Sequence, residues 1–316
     1  MNTDPAQPMF AGAFTAIVTP FTDDAAAIDF ARLKDQIDFQ AQGEDPAVGG
    51  VKGIIISGTT GESPTLSEQE YRTLVTKGVD FAHRAGLIAV VGTGSNSTHH
   101  ALHLQRIAEN AGADATLSVN PYYNKPVQEG LYQHFMHLAD QAQIPIMLYN
   151  IPGRTGVALT PDTVERLSRH QRITAIKEAT GSTDSCGEIA MRCPNLAVLS
   201  GDDTMTLPFA SVGAVGVVSV LSNLFPSKLT ALCNAFLQNR WDDALQIHRE
   251  LIPLARAMFV ETNPIPVKGA MMLQGRDTGS LRLPMTRASE STLKLLRSLN
   301  LDQSPALGGT ALQSHA

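Results

Sequence analysis

The sequence predicts an α/β fold: a (β/α)8 barrel of the TIM type with helices appended at the C-terminus. Two observations carry that expectation. Eight short, apolar, β-branched runs alternate with stretches of helical period, and such alternation favours parallel strands joined by crossover helices. Polar and glycine-rich clusters follow strands two, four, five, six and seven, always at their carboxyl ends, which in a parallel barrel share one face. An open doubly wound sheet is the runner-up, but no G-x-G-x-x-G follows the first strand. The 316 residues suit one such unit, since barrels use about 250 residues as a single domain.

In order, residues 1–13 are expected to be a flexible tail. Phe14 to Pro20, FTAIVTP, is the first strand, closed by its proline. Asp29 to Gln42 carries Phe30, Leu33, Ile37 and Ala41 at three- and four-residue spacing and predicts a helix. Gly53 to Ser57 is the second strand, followed by the turn GTTGES and a helix opened by a capping box of Ser67 and Glu70. Leu87 to Val91 is the third, with a helix after it that stops at Gly112. Ala115 to Val119 and Ile144 to Tyr149 are the fourth and fifth, leading into NPYYNKP and NIPGRTG. Thr160 then caps a helix with Pro161 at its first position. ITAIK, LAVLSGDD and Val215 to Val220 supply the last three strands.

The expected organisation is a barrel over 14–224, the last barrel helix and a helical extension over 225–300, and a second flexible tail over 301–316. Asn263 to Gly275 and Arg287 to Leu299 are the appended helices.

Composition removes several classes of function. With 43% hydrophobic and 17% charged residues the chain has ample material for a core, and a formal charge of -6 disfavours a polyanionic partner such as nucleic acid. The start MNTDPAQPMF lacks the basic and apolar regions of a signal peptide, and no segment approaches ~20 apolar residues, so neither export nor a membrane span is expected. Cys186, Cys193 and Cys233 are too few and too irregular for a disulfide framework or zinc site, which leaves a reducing cytoplasm as the expected setting. His99, His100 and His103 read as a solvated helix face rather than a metal site, for want of acidic ligands nearby.

The chemistry centres on Lys177, which ends a buried strand. Removing an ammonium from water either demands a carboxylate partner or lowers the pKa. A free lysine with pKa ~10.4 is only about 0.1% neutral at pH 7.4. An apolar barrel that lowers it towards ~7–8 makes an amine nucleophile that forms a Schiff base with a carbonyl. Glu178 is not its partner, because successive strand residues face opposite sides. Tyr149, one strand away, is the candidate for proton transfer, against a bland reading of packing plus one hydrogen bond. Thr59 and Tyr123 offer hydroxyls for a relay, the Gly58 to Gly61 turn offers backbone N–H groups to a carboxylate, and Arg154 between Gly153 and Gly156 can clamp a second one. An amine with two carboxylate-binding features points to small acids as substrates.

GTTGES, NPYYNKPVQEGLYQHF, LYNIPGRTG, IKEATG, SGDD and NPIPVK stand in one order along the chain. Between about Phe14 and Leu299 the sequence resembles the pyruvate-dependent lyase family that includes dihydrodipicolinate synthase and N-acetylneuraminate lyase, and within it the synthase branch. The resemblance implies that Lys177 forms a Schiff base with pyruvate, that Tyr149 passes protons there, and that Thr59 and Tyr123 are its relay partners. It places Tyr123 across a subunit interface of a homotetramer built as a dimer of dimers. It also implies that the backbone at Thr60 holds the pyruvate carboxylate, that Val218 is another pyruvate contact, and that Arg154 engages the carboxylate of L-aspartate 4-semialdehyde. The implied product is 4-hydroxy-tetrahydrodipicolinate, on the route to diaminopimelate and lysine, with no metal or organic cofactor. Alternatives are a relative acting on a sugar acid or another 2-oxo acid, and a barrel that only binds. Lysine-inhibited family members use histidines and a glutamate where this chain has Glu68, Tyr71 and His100, although Ser63, Asn96 and Tyr122 match; weak or absent feedback by lysine is expected.

Overall fold

The computed structural model describes residues 9–303. Its strands are β1 Gly12–Ala16, β2 Gly53–Ile56, β3 Ile88–Gly92, β4 Ala115–Val119, β5 Ile146–Asn150, β6 Ile173–Glu178, β7 Ala197–Ser200 and β8 Gly216–Ser219. They pair in sequence order, all parallel, and β8 returns to β1 through the register Gly12↔Gly216 to Thr15↔Ser219, so the sheet is a closed barrel. The open-sheet alternative is excluded.

Alternation along each strand sorts the side chains. Phe14, Ile55, Val90, Leu117, Met147, Ala175, Leu199 and Val218 fill the barrel, with Phe10 beside Phe14 at a ring separation of 6.1 Å. Ile54, Ile56, Ala89, Val91 and Val217 face outward into one helix-packed cluster, and Ile146, Leu148, Ile176 and Val198 into another.

The surrounding helices are α1 Phe30–Gln42, α2 Glu68–Arg84, α3 Thr98–Asn110, α4 Gln128–Gln141, α5 Pro152–Thr155, α6 Pro161–Ser168, α7 Thr183–Arg192, α8 Thr206–Ala210 and α9 Pro226–Leu237. The capping box of α2 forms in both directions: Glu70 N donates to Ser67 Oγ at 3.2 Å, and Ser67 N donates to Glu70 Oε2 at 2.9 Å. Thr160 caps α6, with Pro161 in its first turn. Such caps contribute about 1 kcal/mol each. Burying a single Ile or Leu contributes roughly 1.5–3 kcal/mol, so the apolar shell between strands and helices holds the barrel while caps fix where helices begin.

β1 differs from the expected Phe14 to Pro20. It starts at Gly12, whose N–H donates to Val215 O at 2.9 Å, and it ends at Ala16. Beyond it the Asn223 side chain replaces a neighbouring strand, accepting from Val18 N at 3.3 Å and donating to Ala16 O at 2.9 Å. Ile17 N keeps one last bond to Ile55 O at 3.2 Å, while Val18 stays buried with Asn223 in place of a strand, so apolarity overran the strand. β5 likewise starts at Ile146 rather than Ile144, past Pro145, which has no N–H to give a ladder.

The expected tails need correction where they are described. Phe10 is fully buried and Gly12 and Ala13 belong to β1, so residues 9–13 are part of the barrel. Leu301 is buried too. The remaining tail residues, 1–8 and 304–316, lie outside the described residues. At the C-terminal side α9 packs on β1, and α10 Trp241–Ala257, α11 Ile265–Leu273 and α12 Glu290–Ser298 follow it. Among the described residues no helix is long and apolar enough to cross a membrane.

Candidate active site

Lys177 occupies the last inward position of β6, above Ala175, in register with Tyr149 of β5 and Leu199 of β7. Both Lys177 and Tyr149 are only 6% exposed, and the ammonium lies 4.2 Å from the centroid of the Tyr149 ring. The side chain points into the barrel mouth, as the alternation of β6 requires. Glu178 points the other way: Thr180 N donates to its Oε1 at 2.8 Å and Asn150 Nδ2 to its Oε2 at 3.0 Å. Burial raises the Glu178 carboxyl pKa.

Three effects set the charge of Lys177. Burial lowers its pKa, the Asp203 carboxylate opposes that shift, and the Arg154 cation adds to it; the outcome is about 7. A substantial fraction of the amine is therefore neutral at physiological pH, which is the condition for attack on a carbonyl. Burial pushes the Tyr149 phenol up to about 12 while Arg154 pulls it down, so the phenol is a proton donor until it gives its proton away. Gly201 makes room for this arrangement. A Cβ there would sit 2.8 Å from Ala179 Cβ and 3.0 Å from Lys177 Cε.

Thr59 and Thr60 lie in the turn after β2. Thr60 is buried, with its Oγ1 accepting from Asn263 Nδ2 at 3.0 Å, and Thr59 is half-buried. Val218 lines the barrel interior from β8. Arg154, exposed on α5, donates through Nη2 to the Asn263 carbonyl at 3.2 Å. Tyr123 stands apart: it is 89% exposed and its backbone is left-handed at φ 74°. Among the described residues no hydrogen bond joins Thr59, Tyr123 and Tyr149. The histidine face is also ordinary, with His103 paired to Glu68 at 3.0 Å and stacked on His100, and no described cluster of three or more His, Cys, Asp or Glu could hold a metal.

Asp203 and Asn263 were not singled out from the sequence. Asp203, just past β7, accepts from the Ser219 hydroxyl and from Val220 N and Leu221 N at 3.0 and 3.1 Å, and so ties the end of β7 to that of β8. Its signal was the second aspartate of SGDD. Asn263 joins Thr60 to Arg154, and its contact with Thr60 spans 203 residues of sequence, beyond any local pattern.

Comparison with known proteins identifies the family. The Dihydrodipicolinate synthetase family pattern matches residues 9–300. A 4-hydroxy-tetrahydrodipicolinate synthase of Leptospira biflexa is 47% identical over 288 residues, covering 90% of this chain and 94% of the relative. The crystal structure of dihydrodipicolinate synthase from Aquifex aeolicus superposes with a TM-score of 0.88 at 40% identity, covering 93% of this chain and 99% of the other. That of the chloride-inhibited enzyme from Acinetobacter baumannii, complexed with pyruvate, gives 0.88 at 36% identity over 92% and 98%. With the barrel, the inward lysine and these matches together, the chain belongs to the dihydrodipicolinate synthetase family.

Proposed function

We propose that this lyase condenses pyruvate with L-aspartate 4-semialdehyde through a Schiff base on Lys177, giving 4-hydroxy-tetrahydrodipicolinate. The observation that carries the reading is a buried lysine with pKa about 7 lying against the Tyr149 ring at the barrel mouth. The neutral Lys177 amine attacks C2 of pyruvate and water leaves. The protonated imine is itself the electron sink, so C3 gives up a proton and becomes the nucleophilic enamine carbon. That carbon attacks the aldehyde, the aldehyde oxygen takes a proton, and the amino group of the second substrate displaces Lys177 by transimination as the ring closes. Neither a metal nor an organic cofactor is required by these steps.

Tyr149 gives and takes the protons, with Thr59 and Tyr123 as relay partners. The N–H groups of the turn at Thr60 receive the pyruvate carboxylate, Val218 bounds the pyruvate, and Arg154 receives the carboxylate of the semialdehyde. Tyr123 reaches a neighbouring subunit of a homotetramer. Its exposed ring on a left-handed backbone supports this, because such strain persists where the surroundings or a function hold it. The three free, buried cysteines fit work in a reducing cytoplasm. Lysine feedback is weak or absent, since Glu68 already pairs with Arg72 and His103.

Two measurements test the reading. A coupled assay with pyruvate and L-aspartate 4-semialdehyde, run beside N-acetylneuraminate cleavage, separates the synthase from a sugar-acid lyase. Borohydride with pyruvate should add mass at Lys177; intact protein without a mass gain refutes the Schiff base.

A further inference from the structure

Lys268, on α11, is a fully buried lysine far in sequence from β6. Its Nζ donates to Glu62 Oε1 at 2.8 Å and to Thr19 O at 2.9 Å, and lies 4.5 Å from the Phe21 ring centroid. Glu62 is the fifth residue of GTTGES. It is buried, holds a left-handed φ of 54°, and accepts at Oε2 from Arg282 N at 3.2 Å. Thr19 in turn donates through its hydroxyl to Gly61 O at 2.7 Å.

We propose that Lys268 is a positioning residue that fixes the pyruvate-binding turn Gly58 to Glu62; the proposal rests on the reading that this turn receives the pyruvate carboxylate. Three consecutive residues are held from α11 or just before it: Thr60 by Asn263, Gly61 by way of Thr19, and Glu62 by Lys268 itself. Stability alone is a poor reason for such a pair, because desolvating two charges offsets most of their attraction and apolar replacements are often neutral or better. Geometry is a better one. A non-glycine residue in the left-handed region persists only where its surroundings over-determine it, and the ring Lys268–Thr19–Gly61–Glu62 does so. Once the ring opens, Glu62 relaxes and the N–H groups at Thr60 lose their aim.

The test is the paired variant Glu62→Gln with Lys268→Met, which removes both charges, preserves volume and keeps an oxygen for Arg282 N–H. A folded, cooperatively melting protein is expected whose KM for pyruvate rises roughly tenfold to 100-fold, with the KM for L-aspartate 4-semialdehyde and the pH midpoint of adduct formation unchanged. A folded variant with wild-type pyruvate KM, or with both KM values raised alike, overturns the proposal. Should the pair not fold, Thr19→Val decides: it takes the hydroxyl from Gly61 O and leaves the Lys268–Glu62 contact in place. A pyruvate-specific rise of about threefold or more supports positioning, on the scale set by losing one neutral hydrogen bond, and no change refutes it. Wild-type protein that borohydride fails to trap would undo the Schiff-base reading while leaving the pyruvate KM comparison intact.

Discussion

Tyr149 and Lys177 face each other in register across β5 and β6, with the lysine ammonium 4.2 Å from the tyrosine ring centroid. Neither donates a conventional hydrogen bond to the other. The ring face is a weak partner for a cation, so it softens the cost of burying the amine without holding the proton on it as a carboxylate would. Trapping of the pyruvate adduct should therefore rise about tenfold per pH unit on the acid side and level off above pH 7, where Lys177 is neutral. Stopped-flow trapping from pH 5.5 to 9 measures this. A midpoint near the free lysine value of ~10.4 would contradict it.

Because the folded-state pKa of Lys177 falls from 10.5 to about 7, the unfolded chain holds an extra proton between those values. Stability from this group accordingly rises with pH across that window, and its burial penalty is complete below pH 7 and gone above 10.5. Lys177→Met should abolish turnover yet stabilise the protein by on the order of 4 kcal/mol at pH 6, with the gain shrinking towards pH 10. Denaturant titrations of both proteins at pH 6, 8 and 10 check the sign. A less stable variant at pH 6 would show that Lys177 is structurally paired after all.

Gly201→Ala introduces a methyl group 2.8 Å from Ala179 Cβ and 3.0 Å from Lys177 Cε. The backbone cannot retreat freely, since Gly201 N donates to Glu178 O at 2.7 Å. Adduct formation is expected to fall roughly 100-fold, as for other misplacements of a reacting group, with a stability loss of about 1–3 kcal/mol from overpacking. Single-turnover trapping together with thermal melts separates the two effects.

Removing Arg154 should have two signatures. Arg154→Ala raises the KM for L-aspartate 4-semialdehyde roughly 10- to 100-fold, the scale of a charge-assisted hydrogen bond. It also moves the acid limb of adduct formation to higher pH, because a cation that depresses the Lys177 pKa has gone. An unchanged pH profile would place the guanidinium too far from the amine to matter.

Asn263→Ala should instead raise the KM for pyruvate alone, by about tenfold, given the one neutral hydrogen bond lost at Thr60. The side-chain amide of Asn263 touches Thr60, whereas Arg154 is held by the Asn263 main-chain carbonyl, which alanine keeps. Steady-state kinetics with each substrate varied in turn tests this, and an unchanged pyruvate KM would contradict a role for the Asn263–Thr60 contact.

The barrel was legible because its strands advertise themselves by buried, β-branched runs closed by glycine or proline, and Lys177 stood out because a strand end is a costly place for a charge. Strand limits were less legible: Val18 looks like strand and is not, since Asn223 takes the hydrogen bonds there. Thr60 and Arg154 could be placed on the rim, but what holds them could not. Asn263, Lys268 and Arg282 act across 203, 206 and 220 residues, and local sequence carries no trace of such contacts. The expected relay is not assembled within this chain either, because Tyr123 stands in solvent.

The seam between β1 and β8 imposes an order in time. Gly12 to Thr15 finds its partner in Gly216 to Ser219, so during synthesis β1 leaves the ribosome about 200 residues ahead of the strand that completes it, a wait of roughly 10–40 s at ordinary elongation rates. Until then the edge carrying Ala13 and Phe14 is an open ladder with apolar side chains on both faces, which is a template for pairing with other chains. The nascent protein is thus most exposed to aggregation before its last strand emerges, and a ribosome stalled between α8 and β8 should release a product that binds chaperones rather than one that folds.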